Sequence, residues 1–386
     1  MPVKNSLVER MPEIAAWRQH LHRRPELLFD THETAGFVAE KLRAFGCDAV
    51  HEAIGRTGVV GLIHGRNGPG RCIGLRADMD ALPITEATGA EYASEIPGRM
   101  HACGHDGHTA MLLGAARHLC ETRGFDGTVA VIFQPAEEGG GGGREMIADG
   151  LMDRFAIEEV YGLHNWPGLE LGTFAIRHGP FFAATDHFEI EVAGQGGHAA
   201  KPHETVDPTV IAAQIVTALQ TIPSRVVDPV RQVVVSVTSI RTSSDAFNVI
   251  PGAVTMKGTV RTLDPATRDL VEGRMARLAE GIAAAHGARA DMHYERNYPV
   301  MANHDRETGF AAEAARAVSG ACAEADLVMG GEDFAYMLEA RPGAYILLGN
   351  GPSASLHAPD FDFADAAIPA GTSWWVEMAE RRLPLG

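Results

Sequence analysis

The densest group of potentially reactive side chains lies in the segment MHACGHDGH, residues 100–108. Within eight residues it contains one aspartate and four side chains able to bind a metal, which are His101, Cys103, His105 and His108. Glycines between them let the backbone bend tightly enough for alternate side chains to converge. A lone histidine in such a turn is usually solvated, but a thiolate beside imidazoles suits borderline-soft divalent metals. The spacing therefore predicts a metal site.

A pair of adjacent carboxylates follows a predicted buried strand, in the segment FQPAEEGGGGG at residues 133–143. Glu137 and Glu138 thus lie at the carboxyl end of a strand, where α/β folds place their sites. Adjacent carboxylates repel each other unless a positive charge separates their roles. A metal does so if one glutamate binds it and the other remains a base. Taken alone, the pair is more typical of an exposed acidic turn.

Two further histidines end or follow predicted strands. His164 lies in GLHNWPG, residues 162–168, and His357 lies in SLHAPDF, residues 355–361. Each one alone is as typical of a structural histidine as of a metal ligand. Four ligand-bearing segments at the strand ends of one domain argue against a structural role for all of them.

Two other segments predict supporting roles. RADMDALPI, residues 76–84, ends a strand, and Asp78 and Asp80 could orient metal ligands from behind, although a solvated loop would look similar. GGEDFAYM, residues 330–337, opens a helix, and its acidic residues would suit a helix first turn on dipole grounds alone. The alternative is that Gly331 brings backbone N–H groups close to a substrate carboxylate.

Two loops later in the chain carry candidate substrate-site residues. His198 lies in the glycine-rich GQGGHAAKPH, residues 194–203, and Asn248 lies in FNVIP, residues 247–251. A small module has no structural need for either side chain, so both are candidates, and an ordinary loop role is the alternative.

Alternating strands and helices must position the segments that carry the candidate metal ligands. The predicted buried strands are 57–63, 72–78, 128–134, 160–164 and 344–349. The predicted helices are two within the first 45 residues, then 108–121, 306–318 and 371–383. This alternation predicts an α/β fold with a mostly parallel central sheet flanked by helices.

The pattern changes near residue 184, where half-solvated strands with alternating polar and apolar residues begin. Strands at 186–194, 231–240, 253–262 and 290–297 enclose helices at 205–222 and 266–286. The order β-α-β-β-α-β predicts an inserted ferredoxin-like α+β module. We therefore predict a larger domain, residues 1–183 with 297–386, and an inserted domain, residues 184–296.

Composition narrows the possible partners. The formal net charge of −17 disfavours nucleic acid, because such a surface repels phosphate. No stretch approaches the roughly 20 apolar residues of a membrane helix. The N-terminal segment does not resemble a secretory signal, and the five scattered cysteines suit reduced thiols. These features predict a cytoplasmic protein.

Taken in order, the motifs resemble those of the aminoacylase-like metallopeptidases. The segments that carry the resemblance span essentially the whole chain: RADMDALPI, MHACGHDGHTAMLLGAA, FQPAEEG, GLHNWP, GGHAAKPH, FNVIP, GGEDFAYM and LHAPDFDF. The most similar branch contains hippurate hydrolases, N-acetyl-diaminopimelate deacetylases and plant auxin-conjugate hydrolases. The resemblance implies a catalytic domain with two divalent metals and a smaller lid that also mediates homodimer or tetramer formation.

The resemblance also implies roles for individual residues. The implied metal ligands are Cys103, His105, Glu138, His164 and His357. Glu137 is implied as the general base and His198 as an oxyanion stabiliser from the lid. Asn248 is implied as a substrate contact, and Asp78 supports the metal ligands from behind.

The expected activity is metal-dependent hydrolysis of N-acyl amino acids of the hippurate or N-acetyl type. Manganese or zinc is the expected metal, with cobalt or nickel as alternatives. A dipeptidase or an N-acetyl- or N-succinyl-diaminopimelate deacylase would use the same fold, although Cys103 argues against the dipeptidase and desuccinylase branches. A catalytically inactive metal-dependent binding protein is the alternative of another class, but it would be expected to have lost Glu137 or a ligand.

Overall fold

The computed structural model describes residues 4–386, which divide into two compact units. Unit 1 consists of the described residues of Met1–Gly179 together with Ala302–Asp326 and Asp333–Gly386. Unit 2 consists of Pro180–Met301 and Leu327–Glu332. The domain bounds at residues 184 and 296 stay a prediction. Sequence patterning did not indicate that the short segment 327–332 groups with the inserted module.

Helices and strands account for most of both units. The α-helices of the described residues are α1 Asn5–His22, α2 His32–Phe45, α3 His105–Thr122, α4 Gly142–Ala148, α5 Leu151–Arg154, α6 Pro208–Leu219, α7 Pro265–Ala285, α8 Asp305–Ser319, α9 Phe334–Ala340 and α10 Ile368–Arg382. The strands are β1 Ala49–Ile54, β2 Gly58–His64, β3 Cys72–Asp78, β4 Thr128–Gln134, β5 Ile157–Trp166, β6 Phe174–Ile176, β7 Gly179–Phe182, β8 Ala184–Ala193, β9 Gly197–His198, β10 Val233–Thr242, β11 Val249–Ile250, β12 Ala253–Thr262, β13 Arg289–Arg296, β14 Met301–Asn303, β15 Ala323–Glu324 and β16 Gly343–Gly349. None of these helices combines the length and apolar composition needed to cross a lipid bilayer.

An eight-stranded sheet in the order β1-β2-β4-β3-β5-β16-β6-β15 forms the centre of unit 1. The four middle strands, β4, β3, β5 and β16, run parallel to one another. Strands β2 and β6 pair antiparallel with their inner neighbours. The prediction of a mostly parallel sheet is therefore confirmed, and the carboxyl ends of its parallel strands meet at one edge.

Helices cover both faces of this sheet, which is why three of its inner strands are buried along their whole length. All seven residues of β3, β4 and β16 are buried, as expected for parallel strands packed on both faces. Because successive side chains point to opposite faces, Leu75 joins the core formed with Leu112 of α3. The next residue, Arg76, faces α9, where its guanidinium lies 5.7 Å from the ring of Phe334.

Unit 2 has an antiparallel sheet in the order β10-β12-β8-β13, with α6 and α7 against it. Its chain order is the predicted β-α-β-β-α-β. Strand β8 alternates buried and exposed residues, because the helices cover only one face. The buried carboxylate of Asp186 accepts hydrogen bonds from Arg268, 3.1 Å from Nε, and from the Tyr294 hydroxyl at 2.7 Å.

The predicted elements agree with the structure to within a few residues, and the differences have local causes. The helix predicted from residue 205 begins at Pro208, because Asp207 caps it by accepting the Thr209 N–H at 2.8 Å. The helix predicted from residue 108 already begins at His105, after Gly104 in a left-handed conformation. Short strands such as β6 and β15 were missed, since two or three residues carry too little periodicity.

Candidate metal centre

The segments with the five predicted ligands converge within unit 1. Glu138 follows β4, His164 lies in β5, and His357 follows β16, while Cys103 and His105 lie at the start of α3. Their ligand atoms form overlapping groups in which all members lie within 4.8 Å of one another. These groups are Cys103 with His105 and His164, Cys103 with Glu138 and His357, and His105 with Glu137 and Glu138.

His105 has one nitrogen fixed and one without a hydrogen bond. Its Nδ1 donates to the backbone carbonyl of Asp80 at 2.8 Å, and its buried Nε2 has no hydrogen-bond partner among the described residues. Burial disfavours the charged ring, but Asp78 and Asp80 outweigh it and raise the pKa of His105 to about 10. The carboxylates around His105 therefore favour a positive charge next to its Nε2.

His164 is held so that its Nε2 faces Cys103. Its Nδ1 donates to the carbonyl of Asn165 at 2.6 Å, and its Nε2 lies 3.4 Å from the Cys103 Sγ. Burial, with the neighbouring His108, holds the pKa of His164 well below its usual range. The ring is therefore neutral, which is the form that binds metals.

Cys103 and Glu138 add a thiol and a carboxylate at the same point. Burial, followed by the charges of Glu138 and Glu137, raises the pKa of the Cys103 thiol well above its usual range. Glu138 Oε1 lies 3.3 Å from His357 Nε2, but the pair is not aligned as a hydrogen bond. A divalent cation would offset this negative charge and stabilise the thiolate.

Asp80 holds the backbone of both glutamates. Its fully buried carboxylate accepts the N–H of Glu137 at 2.9 Å and that of Glu138 at 3.1 Å. The preceding Ala136 has a left-handed φ of 54°, a strained conformation for a residue with a side chain. The sequence indicated Asp80 only through its strand-end position, and nothing in its neighbourhood indicated this backbone contact.

His108, a candidate ligand by its spacing, has both ring nitrogens occupied. Its Nδ1 donates to Asp78 Oδ1 at 2.6 Å, and its Nε2 accepts the Asn165 N–H at 2.9 Å. Although Asp78, His105 and His108 lie within ligand distance of one another, no lone pair of His108 is left for a metal. Asp78 also accepts from Arg76 at 2.7 Å, so it lies behind the ligands in a buried ion network.

Asp333 was interpreted from the sequence as an acid in a helix first turn, and it is instead a buried anchor. It directly precedes α9 without capping it through its side chain, and its carboxylate accepts from Arg76 at 3.0 Å, from the Gln134 amide at 2.8 Å and from the Gly143 N–H at 2.7 Å. It therefore links three segments near the strand ends. Sequence spacing could not reveal partners so far apart in the chain.

The remaining candidates belong to unit 2. His198 in β9 pairs with Val249 in β11, and the Ala199 N–H donates to the Asn248 carbonyl at 3.0 Å, so the two predicted loop residues are neighbours. The exposed His198 ring accepts the Ala200 N–H at Nδ1, 3.1 Å away. A Cβ at Gly331 would lie 2.3 Å from the Thr185 methyl, so close packing by itself accounts for a glycine there.

Comparisons with known proteins agree on one family. The model of the peptidase family M20/M25/M40 matches residues 74–381. The chain is 40% identical to N-acetyl-L-cysteine deacetylase of Bacillus subtilis, over 99% of this chain and 90% of the relative. It is also 40% identical to hippurate hydrolase of Campylobacter jejuni, over 98% of both chains. A crystal structure of a Bacillus subtilis protein, described as a dinuclear metal-binding peptidase of the M20 family, matches with a TM-score of 0.86 and 34% identity, covering 98% of this chain and 99% of that one.

Gly104 is required for packing as well as for its backbone conformation, and this can be tested. Its φ is 90°, and an added Cβ would lie 2.3 Å from the Asn165 side-chain nitrogen, which donates to the Cys103 carbonyl. Gly68 has nearly the same φ, 92°, with nothing within 4 Å. We expect G68A to lower the free energy of unfolding by about 1–2 kcal/mol, the cost of the left-handed conformation. We expect G104A to cost at least about 1 kcal/mol more through the clash.

Chemical unfolding of both variants and the parent protein, under identical conditions, measures this difference. Equal losses in G104A and G68A would mean that Asn165 moves aside freely and does not fix the backbone before α3.

Proposed function

Since this chain belongs to the peptidase family M20/M25/M40, we propose that it is a metal-dependent amidohydrolase that cleaves N-acyl amino acids. Water is added across the amide bond, and a carboxylic acid and a free amino acid are released. The observation that carries the proposal is the convergence in unit 1 of a thiol, three imidazoles and a carboxylate, where His105 Nε2 and Glu138 Oε1 lack a hydrogen bond among the described residues. The two relatives named for N-acetylcysteine and hippurate support the substrate class.

We propose that the centre binds two divalent metal ions through Cys103, His105, Glu138, His164 and His357. The fit rests on His105 Nε2 and Glu138 Oε1, buried atoms that otherwise lack hydrogen bonds. We propose zinc or manganese as the metal, with cobalt or nickel as alternatives; the mixture of nitrogen, sulfur and oxygen ligands suits such divalent ions. When bound, such ions supply Lewis-acid polarisation of the amide carbonyl and a lower pKa for the attacking water.

Glu137 is the proposed general base. It is buried beside Glu138, and its backbone is held by Asp80. Its carboxylate would take a proton from the attacking water and return it to the leaving amine nitrogen. The neighbouring Glu138 cannot share this task if its oxygens bind metal. The adjacent pair thus divides into a ligand and a base.

We propose that unit 2 is the lid and the dimerisation module. His198 would donate a hydrogen bond to the developing oxyanion, and Asn248 and Gly331 would contact the substrate. The neighbouring positions of His198 and Asn248 support a joint role. Strand β10 forms an edge of its sheet, with Val234 and Ile240 exposed, which supports pairing with a second copy into a homodimer or a tetramer.

We further propose that the protein acts in the cytoplasm on small molecules rather than on nucleic acid. Its net charge of −17 opposes binding to phosphate backbones. All five cysteines are free thiols, as is usual in a reducing compartment.

Release of amino acid from a panel of N-acyl amino acids tests the function directly. We expect chelator-stripped protein to be inactive, and reloading with Zn²⁺ or Mn²⁺ to restore release from hippurate or N-acetyl amino acids. The preferred substrate identifies the acyl group. Protein that takes up two metals but releases no amino acid from any substrate would contradict the enzyme and favour a binding protein.

The roles of the two glutamates predict different losses. We expect E137A to lower kcat by about 10²–10⁴-fold, the usual contribution of a general base, and to keep its metal content. E138A should lose metal as well as activity. Metal analysis of both purified variants beside the parent checks this. Metal loss in E137A with retention in E138A would mean that the assignment of the two residues is reversed.

The oxyanion role predicts that H198A lowers kcat by about 10²–10³-fold, as removal of one such donor does, with unchanged metal content. His203 is exposed nearby on the same unit, so H203A serves as a control and should retain activity. A kcat within threefold of the parent in H198A would contradict the role.

Mixed dimers of E137A and H198A subunits distinguish action within a subunit from action across the dimer. If His198 serves the partner's site, the mixed dimer has one intact site, and activity returns on mixing. If His198 serves its own subunit, every site lacks one group and the mixture stays inactive.

A further inference from the structure

Arg18 of α1 is a fully buried charge beside the segments that carry the proposed ligands. Burial opposes its charge, but Asp106 and Asp362 outweigh this and raise the pKa of the guanidinium above its usual value. Its ring neighbour is Tyr92, whose centroid lies 4.8 Å from the guanidinium carbon. The roles proposed above for the metal ligands and the general base do not explain why an arginine is buried at this position.

On one side, the Arg18 guanidinium contacts the first turn of α3. Its Nε donates to Asp106 Oδ2 at 2.7 Å. The same oxygen lies 2.8 Å from His22 Nδ1, so two groups of α1 bind one buried carboxylate. Asp106 directly follows His105 and lies three residues after Cys103. The contact therefore fixes the helical turn on which two proposed ligands depend.

On its other side, the guanidinium contacts the segment that follows His357. Arg18 Nη2 donates to Asp362 Oδ1 at 2.5 Å, and Asp362 Oδ2 accepts the Tyr92 hydroxyl at 2.6 Å. This segment also lies against α3, because a Cβ at Gly107 would be 2.5 Å from the ring of Phe363. One planar side chain thus connects two segments that each carry proposed ligands.

His357 needs such support more than the other proposed ligands do. Its side chain is 52% exposed, and its φ of 65° is left-handed. Its N–H donates to the Ala102 carbonyl at 2.8 Å, so its position depends on the segment before α3. By contrast, Cys103, His105 and His164 are buried, and the rings of His105 and His164 donate to the backbone carbonyls of Asp80 and Asn165.

We propose that Arg18 is a positioning residue: by holding Asp106 and Asp362 together, it sets the metal affinity of the Cys103–Glu138–His357 group more than that of the Cys103–His105–His164 group. The inference rests on the proposed two-metal centre. A buried ion pair adds little net stability compared with apolar packing, so its contribution is geometric. Lysine could not replace it, because a single ammonium lacks the planar fork that serves two carboxylates at once.

Zinc titration of the metal-free protein against a competing chelating dye tests the inference without reference to activity. We expect R18M, and R18K to a smaller extent, to weaken one of two zinc-binding steps at least about tenfold, the usual effect of losing a residue that orients ligands. The other step should change by less than about threefold. Thermal unfolding of each variant is measured in parallel.

Arg382 provides the matched control in the same unit. It is a largely buried arginine that makes two contacts of 2.9 Å with Glu159 and has no contact with the proposed ligands. R382M should lower the unfolding temperature and leave both zinc dissociation constants unchanged. If R18M behaves like R382M, or if both zinc steps weaken equally in R18M, Arg18 is only structural and the inference is wrong.

Two further outcomes keep the test decisive. If R18M does not fold, D362N removes the negative charge that Arg18 pairs with in the segment after His357 and leaves the Arg18–Asp106 contact in place, so the same selective weakening is expected; the Asp362 side chain is 37% exposed and costs little to change. Unchanged zinc binding in D362N would overturn the inference. Fewer than two zinc ions bound by the parent protein would refute the proposed centre itself, and the role of Arg18 with it.

Discussion

The unpaired polar atoms buried at the strand ends of unit 1 are the constraint on which the rest of the structure depends. Burying a polar atom without a hydrogen bond costs free energy, and burying several carboxylates close together costs more. Among the described residues, His105 Nε2 and Glu138 Oε1 have no hydrogen-bond partner, while burial and then the neighbouring acids raise the pKa of the Cys103 thiol. The divalent cations proposed for this centre would satisfy these groups, which lie in overlapping candidate ligand sets.

A layer of buried acids outside the proposed ligand set holds the segments that carry these atoms. Asp80 fixes the backbone of the two glutamates, Asp78 fixes His108, and Asp333 ties β4 to α9. Asp106 does the same for α3 through Arg18. Each of these carboxylates is fully or almost fully buried and hydrogen-bonded, so each limits movement of a short segment next to the site.

The two units differ in architecture. Unit 1 has a parallel sheet buried on both faces, and the carboxyl ends of its strands provide a rigid edge for chemistry. Unit 2 has an antiparallel sheet covered by helices on one face, and the exposed residues His198 of β9 and Asn248 are neighbours. Exposed residues on a separate unit suit the proposed recognition of a substrate, since they can adapt to it without disturbing the buried core of unit 1.

The sequence by itself determined the element types, the mostly parallel sheet and the segments that converge, because these follow from periodicity, turn residues and strand-end positions. Cys103, Glu138 and His164 could be found in this way, since each stands in a dense local motif. Only the tertiary structure decided which nitrogen of His105 lacks a partner, and that both nitrogens of His108 are occupied. It also revealed the contacts of Asp80, Asp333 and Arg18, because those partners lie tens to hundreds of residues apart in the chain and meet only when the sheet and α3 are assembled.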